Sequence, residues 1–354
     1  MNKVKYGLIG LGGIAENRLA KEGFGLDRKR FQPPEEAELI AATDVNPARR
    51  ATAATLGIKW YDRTEELLAD PDLDAVFVAT NNLTHAAIAI QALQAGKHVI
   101  VEKPLATSIV DARNLCDLAR QHRLSLTVDH MMIENAYNRQ ARELVAQGAI
   151  GPINDCCFHM EFSYGATPEE AATWRCSKPE EMGGPIGDVA SHCFYVAEFI
   201  FNSEVKELAC VYYPKQMKIV AEDGAYLKFR LANGFAGSIR VAFSEQRGGL
   251  QSTLDNLGYE LFGDCGVIRG HGTLFQLSGY TDEPFPIRLE VDHFNERHDV
   301  AVPAVVNIYQ EVIRHHAQSI LARQPLDGRN GLHNLELLSA AHESARNGGQ
   351  WLTL

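Results

Sequence analysis

Apolar positions along this chain change their spacing once, near residue 128. Before that point, short apolar runs alternate with stretches of helical period. Residues 6–10, 37–43, 59–61, 75–79, 98–101 and 124–128 read as strands. Runs apolar at nearly every position, such as Val99-Ile100-Val101, fit strands buried on both faces, as in a parallel sheet. Between them lie helical stretches with ordinary start and stop signals. Asn46-Pro47 opens one and Gly57 closes it, Gly96 closes 84–95, and Ser108 with Asp111 caps 108–122. Six such alternations predict a doubly wound parallel sheet.

Beyond residue 128 the alternation is residue by residue. Residues 153–162 put Phe158, Met160 and Phe162 on one face and Cys157, His159 and Glu161 on the other. Further strands are expected at 207–213, 225–231, 235–243, 258–263, 267–269, 274–278 and 286–290, with Asn233-Gly234 as a hairpin turn. Helices are expected at 136–147, 305–323 and 332–347. Another carries Val189, Cys193, Val196 and Ile200 as its packing stripe, with Asp188 and His192 sharing a face aimed away from it. The expectation is an α/β domain with a doubly wound parallel sheet, 1–128, and an α+β domain, 129–354, built on a large, mostly antiparallel open sheet. The last helices are expected to pack back on the first domain.

Composition narrows the function. With 45 acidic and 34 basic residues the net charge is −11, which disfavours nonspecific nucleic-acid or anionic-membrane binding. No apolar run reaches membrane-spanning length. The seven cysteines are scattered without a metal-ligand spacing, so free thiols, no metal site and a reducing cytoplasm are expected.

The chemistry clusters at strand ends. Gly10-Leu11-Gly12-Gly13-Ile14-Ala15 follows the first strand and opens a helix, the context a GxGxxA phosphate-binding turn requires. Asp44 ends the second strand, where its carboxylate would accept from ribose hydroxyls and repel a 2′-phosphate, favouring NAD over NADP. Arg49 and Arg50 keep NADP as the minority reading. The interval from Gly10 to Asp44 is 34 residues (44 − 10), against about 20 in the usual motif. The excess, residues 21–36, reads as an inserted surface loop. Glu102-Lys103-Pro104 ends the fifth strand, where open α/β sheets bind ligands.

Four stretches, GLIGLGGIA, TDVNP, VFVATNNLTH and AGKHVIVEKPLA, resemble the Gfo/Idh/MocA family of NAD(P)-dependent sugar and polyol oxidoreductases. The resemblance extends to Trp174-Arg175 and to Gly183-Gly184 followed by Asp188 and His192. It implies a catalytic Lys103, often before a cis proline, working with His192 and Asp188. Gly10, Gly12, Gly13, Ile14, Asp44, Thr80, Asn82, His85, Glu102, Lys103, Trp174 and Arg175 would then serve the cofactor. The family's Thr-Pro-Asn is Thr80-Asn81-Asn82 here, and its arginines near Met131 and Met132 are absent, which suggests a substrate without a group that needs a cation there, unless both methionines simply pack. Tyr195 stands where an aspartate is common. His130, His159, Glu161 and Tyr195 are candidate substrate-lining residues.

The resemblance implies hydride transfer between nicotinamide and a sugar, glycoside or polyol. Proton transfer falls to His192 with Lys103 bonding the same oxygen, or the reverse. It also implies a homodimer or homotetramer assembled through the open sheet. Alternatives are a glycosidase that oxidises its sugar transiently, a reductase of a non-sugar carbonyl or imine, and a non-catalytic nucleotide sensor.

Overall fold

In the computed structural model the described residues are 3–244, 257–275, 278–279, 287–294 and 296–354. The chain forms two compact units. One comprises Met1–Met131, Ser278–Tyr280 and Val306–Leu335, the other the remaining residues.

The first unit holds a parallel six-stranded sheet: β1 (Val4–Ile9), β2 (Ala37–Thr43), β3 (Lys59–Tyr61), β4 (Ala75–Val78), β5 (His98–Val101) and β6 (Leu126–Val128). Their order is β3-β2-β1-β4-β5-β6. The order reverses direction between β1 and β4, which opens the crevice at their carboxyl ends where such sheets take ligands. Val76–Val78 and Val99–Val101 are fully buried, as continuous apolar runs require. Helix Arg49–Leu56 ends at Gly57 with φ +73°, and helix Ile109–His122 starts at Ser108, whose Oγ accepts the Asp111 N–H at 3.4 Å.

The inserted segment is not a solvated loop. A wide helix with i→i+5 bonding, Ala15–Gly23, runs into it, and Phe24 and Phe31 are buried. Gly25, at φ +65°, brings the backbone against Pro33. Helix Ile308–Leu321 clamps the segment. Gln310 donates to the carbonyls of Gly23 and Gln32, and Asn307 Nδ2 donates to Glu22 at 3.1 Å. That helix starts at Ile308, later than expected, because Asn307 caps it by accepting the Gln310 N–H at 2.9 Å. Underneath, His316 joins Tyr6 Oη (2.8 Å) to the Ser125 carbonyl (3.3 Å).

The second unit holds a nine-stranded sheet: β7 (Ile153–Glu161), β8 (Val205–Tyr212), β9 (Gly224–Leu231), β10 (Ala236–Ala242), β11 (Leu257–Gly263), β12 (Gly266–His271), β13 (Arg288–His293), β14 (Glu296–Asp299) and β15 (Leu352–Thr353). The order is β14-β13-β12-β11-β7-β10-β9-β8-β15, with every pairing antiparallel except β7 with β10. The Asn233-Gly234 turn joins β9 to β10, with Gly234 at φ +86°. Strands β14 and β15 were not expected. The expected strand at 274–278 lies partly outside the described residues; Leu274 and Phe275 are in a turn. That at 286–290 begins at Arg288, with 286 outside the described residues.

Helices Ala136–Ala146 and Ser191–Phe201 cover one face, where Phe158 meets Phe201 and Phe194 meets Phe229. On the other face Tyr226, Lys228 and Arg230 of β9 are exposed. Helix Ser191–Phe201 is buried from Ser191 to Ala197, so it lacks the polar outer face expected of it. It is preceded by a wide turn, Ile186–Ala190.

Candidate active site

In the first unit, strand ends bring Gly10, Asp44, Thr80 and Lys103 to one edge of the sheet. Gly10 has φ +90°, and a Cβ there would stand 2.6 Å from the Ala79 carbonyl oxygen, so only glycine fits. Gly12 and Gly13 border open space. The Asp44 carboxylate accepts Leu11 N–H at 2.6 Å and Asn46 N–H at 2.8 Å. Ile14, Val45 and Leu83, each just past a strand end, are exposed apolar residues. An open glycine turn, a carboxylate at the second strand end and exposed apolar side chains beside them fit a dinucleotide. Arg49 is held by Glu16 at 2.6 Å and Arg50 by Asp62 at 2.8 Å. Both arginines held open for a 2′-phosphate are therefore engaged by carboxylates.

Lys103 follows β5, half-buried, its backbone N–H donating to Glu102 Oε2 at 3.1 Å. The Lys103-Pro104 bond is cis, as the resemblance implied. His85 is fully buried, Nδ1 2.8 Å from the Pro104 carbonyl and Nε2 3.1 Å from that of Thr80. It ties the turn after β4 to the turn after β5 rather than presenting a ring nitrogen to a cofactor, which corrects its expected role. Burial lowers its pKa, with the Lys103 charge acting the same way. A neutral ring donates to only one of those carbonyls. Asn82 is also buried, in a single tight turn Asn82–Thr84 that Thr84 braces by bonding Thr80 and the Asn81 carbonyl. His130 is buried near Lys103; desolvation first, then that positive charge, pushes it down to about 3. Met131 and Met132 are buried and pack.

In the second unit the wide turn and its following helix carry the candidate groups. Asp188, 7% exposed, takes Arg175 Nε at 3.0 Å, and the Arg175 guanidinium lies over the Trp174 ring at 4.8 Å. The Asp188 charge raises the Arg175 pKa. His192, 4% exposed, has Nδ1 2.6 Å from the Tyr195 hydroxyl. Tyr195 Oη also accepts the Met132 N–H at 3.4 Å.

His159 and Glu161 do not join this group. Phe158 and Met160 take the helix-covered face of β7, so His159 and Glu161 face the other side. There His159 Nε2 lies 3.2 Å from Glu260, and Glu161 takes Tyr213 Oη–H at 3.0 Å and Arg240 at 3.3 Å. Their expected substrate-lining role is thereby corrected. Sequence reasoning missed Glu222, whose carboxylate accepts the Ile186 N–H at 2.9 Å at the start of the wide turn. It packs against Gly184, at φ +89°, leaving no room for a Cβ. The contact spans 36 residues, and no local spacing signals it. Among the described residues no cluster of three or more His, Cys, Asp or Glu is arranged to hold a metal ion, and no helix is long and apolar enough to cross a membrane. All seven cysteines are free.

Comparison with known proteins identifies the family. Residues 4–130 match the oxidoreductase family with an NAD-binding Rossmann fold, and residues 138–269 match the GFO/IDH/MocA C-terminal domain. A 1,5-anhydro-D-fructose reductase from Ensifer adhaerens is 30% identical over 274 residues, 77% of each chain. A levoglucosan dehydrogenase from Pseudarthrobacter phenanthrenivorans is 28% identical over 202 residues, 49% of this chain and 50% of that one. The fold of an aldose-aldose oxidoreductase from Caulobacter crescentus superposes with a TM-score of 0.84 over 100% of both chains, at 20% identity. With both of its domains matched, the chain belongs to the Gfo/Idh/MocA family of oxidoreductases, which carry an NAD-binding Rossmann fold.

Proposed function

We propose that this enzyme prefers NAD and moves hydride between nicotinamide and a hydroxyl or carbonyl carbon of a sugar, glycoside or polyol. The observation that carries the reading is Lys103 at the carboxyl end of β5, on the same sheet edge as the open glycine turn and Asp44. When bound, the nicotinamide supplies or takes the hydride. The chain's residues do the rest. Gly10, Gly12 and Gly13 leave room for the pyrophosphate, and Asp44 meets the ribose. Asp44, with Arg49 and Arg50 already ion-paired, favours the cofactor without a 2′-phosphate. Lys103 and His192 serve one substrate oxygen, one moving its proton and the other stabilising its developing charge. Asp188 and Arg175 hold each other's charge close to His192 in sequence.

The substrate class rests on the relatives named above, whose names specify an anhydro-keto-sugar and an anhydrosugar. A panel of sugars, polyols and keto-sugars with NAD(H) and NADP(H), followed by nicotinamide absorbance, tests the reading. Turnover of at least one compound with NAD favoured is expected. Product formed without net NADH would point to transient oxidation instead, and tighter binding of NADP would overturn the cofactor preference. The exposed side of the second sheet is the proposed homodimer or homotetramer contact; light scattering giving a monomer at micromolar concentration would exclude it.

A further inference from the structure

His192 and Tyr195 form a buried pair within one helix, 4% and 5% exposed, with Nδ1 to Oη at 2.6 Å and the rings crossed at 75°. The same phenol oxygen receives the Met132 N–H at 3.4 Å. A backbone N–H is only a donor, so it occupies a lone pair of that oxygen and makes the hydroxyl a stronger donor in turn. The phenol has one proton, and Nδ1 lies in reach of it. When the hydroxyl donates to Nδ1, the neutral ring carries its own proton on Nε2. A carboxylate at this place, which only accepts, would draw the ring proton to Nδ1 and leave Nε2 as a base.

We propose that Tyr195 is the positioning residue of His192, fixing the Nε2–H tautomer so that His192 serves as a neutral hydrogen-bond donor and proton transfer falls to Lys103. The proposal rests on the reading that His192 serves the reacting oxygen, and it divides the two roles left open there. A neutral imidazole N–H directed at a carbonyl oxygen stabilises negative charge as it develops while keeping its own proton. The arrangement suits a resting enzyme that receives a carbonyl and reduces it. Asp188 does not impose the other tautomer through Nδ1, since that nitrogen is turned to Tyr195 and Asp188 is engaged by Arg175.

The test needs no substrate. Nitrogen NMR of the full chain labelled at histidine reads which ring nitrogen carries hydrogen, and His192→Gln identifies the signal. At neutral pH the expected state is a protonated Nε2 and a bare Nδ1. Tyr195→Phe, which removes one oxygen, should release the ring to a tautomer mixture, and Tyr195→Asp should move the proton to Nδ1. A proton on Nδ1 in the unmodified protein, a doubly protonated ring, or a signal unmoved by Tyr195→Phe would overturn the proposal. Turnover separates this from the underlying reading. His192→Ala with near-normal turnover would remove His192 from the site altogether. A collapse in His192→Ala with only about a tenfold loss in Tyr195→Phe, the scale of one hydrogen bond, supports both.

Discussion

The two units present their chemistry in opposite ways. The first offers exposed backbone and loop ends: Gly12 and Gly13 border open space, and Val45 is fully exposed just past Asp44. The second offers paired side chains, buried Asp188 with half-buried Arg175 and buried His192 with buried Tyr195. A backbone cradle binds any ligand of the right shape and tolerates substitution wherever a side chain fits. Buried pairs fix orientation and protonation, and they fail when either partner is removed. The difference matches the proposed division of work between holding a cofactor and handling a proton.

The largest effect that would break this contrast lies in the cradle. Gly10→Ala should lower NAD affinity by roughly 100-fold or prevent folding of the first unit, because the new Cβ meets the Ala79 carbonyl. Titration showing unchanged affinity in a folded variant would refute the cradle. In the second unit, Arg175→Ala removes the guanidinium that Asp188 takes at 3.0 Å. Because solvent reaches the 35%-exposed Arg175 side chain, a loss of about 1 kcal/mol in denaturant unfolding is expected, and Arg175→Lys should restore only part of it because the single ammonium cannot stack on Trp174 as the guanidinium does.

Acid should cost the first unit more stability than the second. Burial holds His316 and His130 down at about 3, and His342 in the second unit at about 4. In the unfolded chain these rings take protons near the usual 6.5, so the unfolded state binds more protons between about pH 6.5 and the folded values. Stability is therefore complete above about 6.5 and falls as pH drops, by about 2 kcal/mol per such histidine between pH 6.5 and 5. Hydrogen exchange at pH 7 and pH 5 should show the larger loss of protection in the first unit, and His316→Gln should flatten it. Equal loss in both units would contradict the assignment. The smallest effect concerns cofactor choice. Asp44→Ser should narrow the NAD preference by several-fold, about 1 kcal/mol, because it removes one charge facing the 2′ position.

What was legible in the sequence follows from range. The β5 run, the glycine turn, the Gly57 stop and the Ser108 cap all rest on contacts within a few residues, and they stand where the pattern put them. Strand β14 is Glu-Arg-His-Asp, exposed at every position, so it has no alternation to read. Period two in β7 told which residues share a face but not that His159 and Glu161 share the one turned from the helices. Spacing put Tyr195 near His192, yet only the ring geometry showed that it addresses Nδ1. The Arg175 to Asp188 and Glu222 to Ile186 contacts cross 13 and 36 residues, beyond any local pattern.

The proposed function separates holding the cofactor from handling the proton and assigns Lys103 and His192 to one substrate oxygen. Single-turnover hydride transfer in Lys103→Ala, His192→Ala and the double variant, each with an NAD titration, tests it most directly. Each single change should slow transfer by roughly 100-fold or more while NAD affinity stays within a few-fold. The double change should cost far less than the product of the two, as for groups that act as a unit. Multiplicative losses would assign the residues to different atoms or steps, and near-normal transfer in Lys103→Ala would contradict the account.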